Sequence, residues 1–191
     1  GMAQVRIDPA AEIQIGDRAI LRIEENSNVT FGRLEISENR MQLTARVGTG
    51  TVLSRVEPLT GRDGLNVRTE DAVTGVRGTR FMVTSTIRGE TVVAVEEGRL
   101  SILPPDVDMD LLRQEYGDSV QILAELAPVV EDGLQVTFGE VDLKEVGAQL
   151  VENLQGATGD AVDSAFESAG AALAETVPAA DEINPESQRA L

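Results

Sequence analysis

Asp106, Asp108 and Asp110 stand at i, i+2 and i+4, the spacing that opens a calcium loop. Such a loop needs Gly at its sixth position and a bidentate Glu at its twelfth. Here those positions hold Leu111 and Gly117. The three acids are therefore read as a helix N-terminus, where negative charge complements the dipole. Glu96-Glu97 is the nearest approach to a catalytic carboxylate pair. Adjacent strand residues point to opposite faces, so these two cannot flank one bond. The chain has no His and no Cys, which removes the commonest general base and any thiolate site. It also excludes a cupin-type metal site, whose ligands are His. Lys144, the single lysine, falls on an exposed helix face beside acids and offers no sheltered nucleophile. Gly48-Thr49-Gly50 is too short for a phosphate loop and lacks its Lys. Asn28-Val29-Thr30 matches a glycosylation acceptor, a triplet common by chance. No constellation converges on a reaction, and a hydrolase with paired carboxylates has the weakest support. The expectation is a protein that is not an enzyme, with no metal and no cofactor.

Charge narrows the partners. The net charge is −17 and unevenly placed. Residues 1–103 carry thirteen Arg against fourteen acids, a net of −1, while 104–191 carry three cations against nineteen acids, a net of −16. A field of that sign repels phosphates, so nucleic acid and anionic membrane are poor partners. Aromatic residues are four Phe and Tyr116, with no Trp. Single-stranded nucleic acids stack on such faces, and sugar grooves are commonly lined with them, so both partners lose support. No apolar run reaches the length of a membrane-spanning helix.

The elements that would position any site begin with Val73–Leu103. This stretch reads as three strands: Val73 to Val76 into Arg80–Thr86, then Glu90–Val95, then Arg99–Leu103. Thr79, Phe81, Val83 and Ser85 fall on one face, and Arg80, Met82 and Thr84 on the other. Arg88-Gly89 and Glu97-Gly98 are each read as hairpin turns. Upstream, short alternating runs recur, including Arg18–Glu24, Met41–Val47 and Thr51–Val56, the last two separated by Gly48-Thr49-Gly50. About ten short strands at regular spacing predict a mainly β fold, a two-sheet sandwich or twisted β-coil.

C-terminal α-helices are expected to pack on or beside that body. Residues 1–104 form the expected all-β domain and 105–177 an acidic mixed and helical segment. The final stretch, 178–191, is polar and is expected to be a disordered tail. A short helix runs to about Tyr116, and Val120–Leu126 is either a strand or a helical turn. One strand near Leu134–Phe138 is open to rejoining the β body. Asp142–Leu154 forms a helix capped by Asp142 and Glu145, with Leu143, Val146, Leu150 and Leu154 on one face. A second helix, Asp160–Thr176, aligns Val162, Phe166, Ala169 and Leu173. This acidic segment has two readings. One is a solvated surface. The other is a helix pair docking its Leu143, Val146 and Leu150 stripe on another protein.

Arg77-Gly78-Thr79 followed by Phe81, with Val95-Glu96-Glu97-Gly98-Arg99-Leu100 after the next hairpin, resembles the FecR family signature. In that family a "GT-x-F" strand precedes an "eG-x-v" turn. The resemblance is specific over Val73–Leu103 and extends back to about Gly16. It implies a two-sheet, coil-like all-β body in which Arg77, Gly78, Thr79, Phe81 and Gly98 serve as a structural motif. It further implies a non-catalytic extracytoplasmic module of envelope signal transduction, sensing or scaffolding through protein–protein contact. Membrane-anchored members of that family sense a signal, often through contact with an outer-membrane transporter, and control a sigma factor. The expected partner is thus a transporter or signalling component of the cell envelope. The expected location is periplasmic or otherwise extracytoplasmic, with a signal or anchor segment removed ahead of Met2. Candidate contact residues are Arg77, Arg80, Arg88 and Arg99, because guanidinium groups pair bidentately with carboxylates. The alternative is a small-ligand or peptidoglycan-binding module of the envelope, since some relatives accompany peptidoglycan-binding domains.

Overall fold

A computed structural model describes residues 3–6, 10–37, 40–58, 64–76, 78–138 and 143–191. Ten strands come first: β1 Ala3–Arg6, β2 Ala11–Ile15, β3 Ala19–Ile23, β4 Asn28–Ser37, β5 Arg40–Val56, β6 Gly64–Arg68, β7 Val73–Val76, β8 Thr79–Ser85, β9 Thr91–Glu97 and β10 Arg99–Leu103. There follow α1 Met109–Tyr116, a 3-10 turn at Gly117–Ser119, α2 Val120–Leu126, β11 Val129–Glu131, β12 Leu134–Phe138, α3 Leu143–Leu154, α4 Asp160–Thr176, β13 Asp181–Glu182 and α5 Pro185–Ala190.

β5 organises the molecule because it belongs to both sheets. Its first half pairs with β4 and, in parallel, with β6. Its second half pairs with β3 and β8. The first sheet runs β1-β4-β5-β6-β7-β10-β11 and the second β2-β3-β5-β8-β9-β12-β13. Met41–Val56 was expected to be two strands divided at Gly48-Thr49-Gly50; it is one strand that turns a corner there. Met41, Leu43, Ala45 and Val47 are buried before the glycines, and Val52, Ser54 and Val56 after them. The inward face has moved from odd to even positions, which is what a local break in the two-residue period does. Gly50 makes the break at φ +98°, where a Cβ would lie 2.5 Å from the Cα of Ser27. The buried Ser27 hydroxyl accepts the Thr51 N–H at 3.0 Å and closes the corner.

Between the two sheets lies an apolar interior that includes Leu21, Ile23, Leu43, Val52, Phe81, Val93 and Ile102, all essentially inaccessible. In β8, Thr79, Phe81, Val83 and Ser85 are buried and Arg80 is exposed, while Met82 on the opposite face is buried as well. Arg88-Gly89 turns a true hairpin between β8 and β9.

Glu97-Gly98 does not. β9 stays in the second sheet, whereas β10 pairs with β7 and β11 in the first. A positive-φ glycine serves a hairpin and a change of sheet equally, and here it makes the change.

The C-terminal segment is built into this body. β11 extends the first sheet beside β10, and β12 extends the second beside β9. Val120–Leu126 is helical. The side chains of Leu143, Val146, Leu150 and Leu154 are buried, as are those of Val162, Phe166, Ala169 and Leu173. The Leu143, Val146 and Leu150 stripe is thus covered within the chain and is not a free docking face. Gly147 lets α3 close on Pro104, and Gly170 lets α4 close on Leu126 of α2. Tyr116 meets Phe166 edge to face at 6.0 Å. Asp142, the expected α3 cap, lies outside the described residues.

The tail expected to be disordered is structured instead. β13 pairs with β12, and the Ile183 N–H donates to the Gly133 carbonyl at 2.9 Å. Asn184 caps α5 by accepting from the N–H groups of Glu186 and Ser187, with Pro185 preorganising the first turn. Sequence-local capping here outweighs the polar composition.

Candidate functional site

The signature residues build a pair of touching corners. Gly78, at φ +83°, redirects the chain from β7 in the first sheet to β8 in the second. Gly98, at φ +95°, returns it from β9 to β10. A Cβ on Gly78 would lie 2.7 Å from the Cα of Pro58, and one on Gly98 would lie 2.7 Å from the Gly78 carbonyl oxygen. Both positions therefore need glycine twice over, for conformation and for space. The Thr79 hydroxyl donates to the Arg99 carbonyl at 3.0 Å, tying one corner to the other. The Gly98 N–H donates to an Asp132 carboxylate oxygen, and the Gly133 N–H to the Val95 carbonyl at 2.8 Å, so the β11–β12 turn clamps the same place. Phe81 sits fully buried just inside.

The candidate contact arginines do not form one patch. Arg80 is the second residue of β8, on its outer face, and its Nε lies 3.1 Å from Glu96. Both side chains are about half exposed, so the pair contributes at most ~1 kcal/mol. Arg99 is exposed at the Gly98 corner, at the same end of the molecule. Arg88 lies in the hairpin turn beyond Ser85, five strand steps of ~3.3 Å from Arg80. Arg77 lies outside the described residues.

A second feature draws on residues that local patterns do not bring together. A cleft of about 310 Å³ opens on the outer face of the first sheet beneath the start of α1. Strand register sets Thr30 opposite Arg46, Arg46 opposite Arg68, and Thr44 opposite Asn66. Gly32 contributes no side chain, which leaves room above Thr44. Asp108 and Asp110 form the facing wall. Asp108 caps α1, its Oδ1 accepting from the N–H groups of Asp110 and Leu111. Asp110 accepts from Gln42 Nε2 at 2.9 Å. Arg68 ties the loop before α1 to the sheet, donating to the carbonyls of Pro105 at 3.2 Å and Val107 at 3.3 Å. Its pKa is lowered, chiefly by burial, with Arg46 adding to the effect and Asp108 and Asp106 opposing it. Asp108 is thus used to start the helix and Asp110 in a clasp, while the exposed Asp106 acts on Arg68 only through its charge. Among the described residues no three acidic groups converge as metal ligands. No described helix is long and apolar enough to cross a membrane.

Known proteins add three findings. The "FecR protein" family model matches residues 4–101. Two crystal structures of a "putative anti-sigma factor" from Parabacteroides distasonis ATCC 8503 share the fold. The first, at 2.50 Å, has a TM-score of 0.52 and 14% identity, covering 78% of this chain and 64% of that one. The second, at 1.65 Å, has a TM-score of 0.50 and 15% identity with the same coverage. At such identities the likeness speaks for the fold alone, and this chain spans 64% of the length of those chains. Among curated proteins, none is significantly similar. The family match spans 98 of 191 residues and contains both glycine corners, Thr79 and Phe81. The chain belongs to the FecR protein family.

Proposed function

We propose that this chain is a non-catalytic signalling regulator that acts by protein–protein contact in the cell envelope. The observation that carries this reading is the use of the family signature. Gly78, Thr79, Phe81 and Gly98 are all spent on fastening two sheets into one rigid body. The signature thus preserves a shape rather than a reactive constellation. Family membership and the fold shared with proteins named as anti-sigma factors support a place in sigma-factor control. The location is extracytoplasmic, and the partner is an outer-membrane transporter or another signalling component. By composition the chain divides into the β body, 1–104, and the acidic segment, 105–177, whose β11 and β12 pair onto the two sheets of that body.

The contact face lies at the paired corners, where Arg80 and Arg99 are exposed. Arg88, at the far end of the β8–β9 hairpin, forms a separate contact. The test is site-specific photocrosslinking in cells from positions 80, 88 and 99, with the crosslinked protein identified by mass. A transporter or signalling component captured from position 80 and lost when Arg99→Glu is added, and captured from position 99 and lost when Arg80→Glu is added, is the expected result. Capture that persists through the charge reversal would remove the corner face from the proposal. A peptidoglycan-binding role would instead appear as retention of the protein on purified cell wall.

A further inference from the structure

The cleft on the first sheet has more hydrogen-bonding capacity than the fold consumes. Side chains of Thr30, Thr44, Arg46 and Asn66 line it and make no hydrogen bond among the described residues. Arg68 adds a buried Nε–H that has no partner there. These groups come from three adjacent strands and are donors or can donate. On the facing wall, Asp108 commits only Oδ1 to capping, which leaves Oδ2 as an acceptor, and Asp110 lies alongside. The cleft therefore has a cationic, donor-rich floor and an anionic wall. Its 310 Å³ is at the small end of ligand pockets.

The two signs restrict the ligand. A phosphate would bring two negative charges against Asp108 and Asp110, inside a chain of net charge −17. A simple cation would meet Arg46 and Arg68. A ligand that carries both charges and no net charge satisfies both walls and is not repelled at long range. We propose that the cleft binds a small zwitterion, a free amino acid or an unblocked dipeptide. Its carboxylate is held by Arg46, Asn66 and Thr44, and its ammonium faces Asp108. Such a ligand would span the sheet and the start of α1, adding to the clasps already made by Arg68 and Gln42. This inference is independent of the protein-contact reading, whose residues lie on the paired corners.

The test uses the full chain, titrated with alanine and alanyl-alanine by calorimetry and followed by thermal melting. N-acetylated alanyl-alanine, alanyl-alanine amide and inorganic phosphate are the comparison ligands. Saturable binding of an unblocked ligand with a rise in Tm is expected, because a ligand bound only by the native state stabilises it. Blocking either terminus should weaken binding by at least ~10-fold. Arg46→Ala should do the same while leaving the Tm of the unliganded protein unchanged, since this side chain is exposed and makes no hydrogen bond to lose. Asn66→Ala should weaken binding by a smaller factor. Absence of binding by the unblocked ligands up to ~10 mM would overturn the proposal. So would blocked forms that bind equally well, or phosphate that binds more tightly.

Discussion

Thr79 donates its hydroxyl hydrogen to the carbonyl of Arg99, 3.0 Å away and twenty residues on. That bond joins the strand leaving one glycine corner to the strand leaving the other. Thr79 is buried, although the bond itself is part-buried because Arg99 is exposed. Thr79→Val keeps the shape and removes the donor. It should cost about 1–2 kcal/mol, because a part-buried hydrogen bond between the two corners is lost. In a chain of this size that corresponds to roughly 2–8 °C in Tm. Thr137→Val, at an exposed position of β12, should move stability by less than about 0.5 kcal/mol and serves as the control. Equal effects in a chemical-denaturation series would mean that the corner bond contributes nothing.

Gly98 and Gly89 separate conformational strain from steric collision. Both have positive φ, +95° and +81°. A Cβ on Gly89 meets nothing within 4 Å, whereas one on Gly98 meets the Gly78 carbonyl oxygen. Gly89→Ala should therefore cost only the left-handed penalty, about 1 kcal/mol. Gly98→Ala must also push apart two backbone corners, so it should cost at least about twice as much. Denaturant midpoints of the two variants, measured with unchanged m-values, give the comparison.

What could be read in the sequence was whatever depends on neighbours in the chain. The alternation of Thr79, Phe81, Val83 and Ser85 identifies a buried strand face, and the Val162, Phe166, Ala169, Leu173 stripe identifies a buried helix face. Glycine was ambiguous because positive φ serves several purposes. Gly89 closes a hairpin, Gly98 moves the chain between sheets, and Gly50 bends a continuous strand. For β5 a further clue lay in the sequence: the apolar positions change parity between Val47 and Val52, which a simple turn does not require. The cleft had no local signature at all. Arg46, Asn66 and Asp108 meet only because β5 and β6 pair in parallel and α1 begins above them. In the tail, Asn184-Pro185 is a helix-start pair, but the polar composition around it favoured the opposite expectation.

Arg68 holds the loop before α1 through two carbonyls and cannot be replaced by a lysine that has one ammonium. Arg68→Lys should loosen residues 105–116 selectively. Hydrogen exchange is expected to speed there by about 10-fold or more, matching the loss of one or two charge-assisted bonds at about 1.5–3 kcal/mol each. Amides of β8 and β9 should keep their protection, because their ladder does not pass through Arg68. Uniform acceleration across the chain would instead assign Arg68 a global role.

The place where the chain can be cut follows from strand pairing rather than from charge. The net charge changes sharply after Leu103, which marks residues 1–104 as a unit by composition. Pairing crosses that boundary twice, β10 with β11 and β9 with β12. A chain ending at 104 would leave the outer backbone groups of both strands open and would uncover the apolar surface now met by Phe138 and Leu143. Open edges beside exposed apolar side chains promote association. The 1–104 fragment should therefore melt without cooperativity or form soluble aggregates in size-exclusion chromatography. A chain ending at Val177 loses only β13 and α5, so it should remain monodisperse and cooperative, with Tm lowered by a few degrees. A cooperative melt of the shorter fragment would show that the first sheet and the second can each end at β10 and β9 without their added strands.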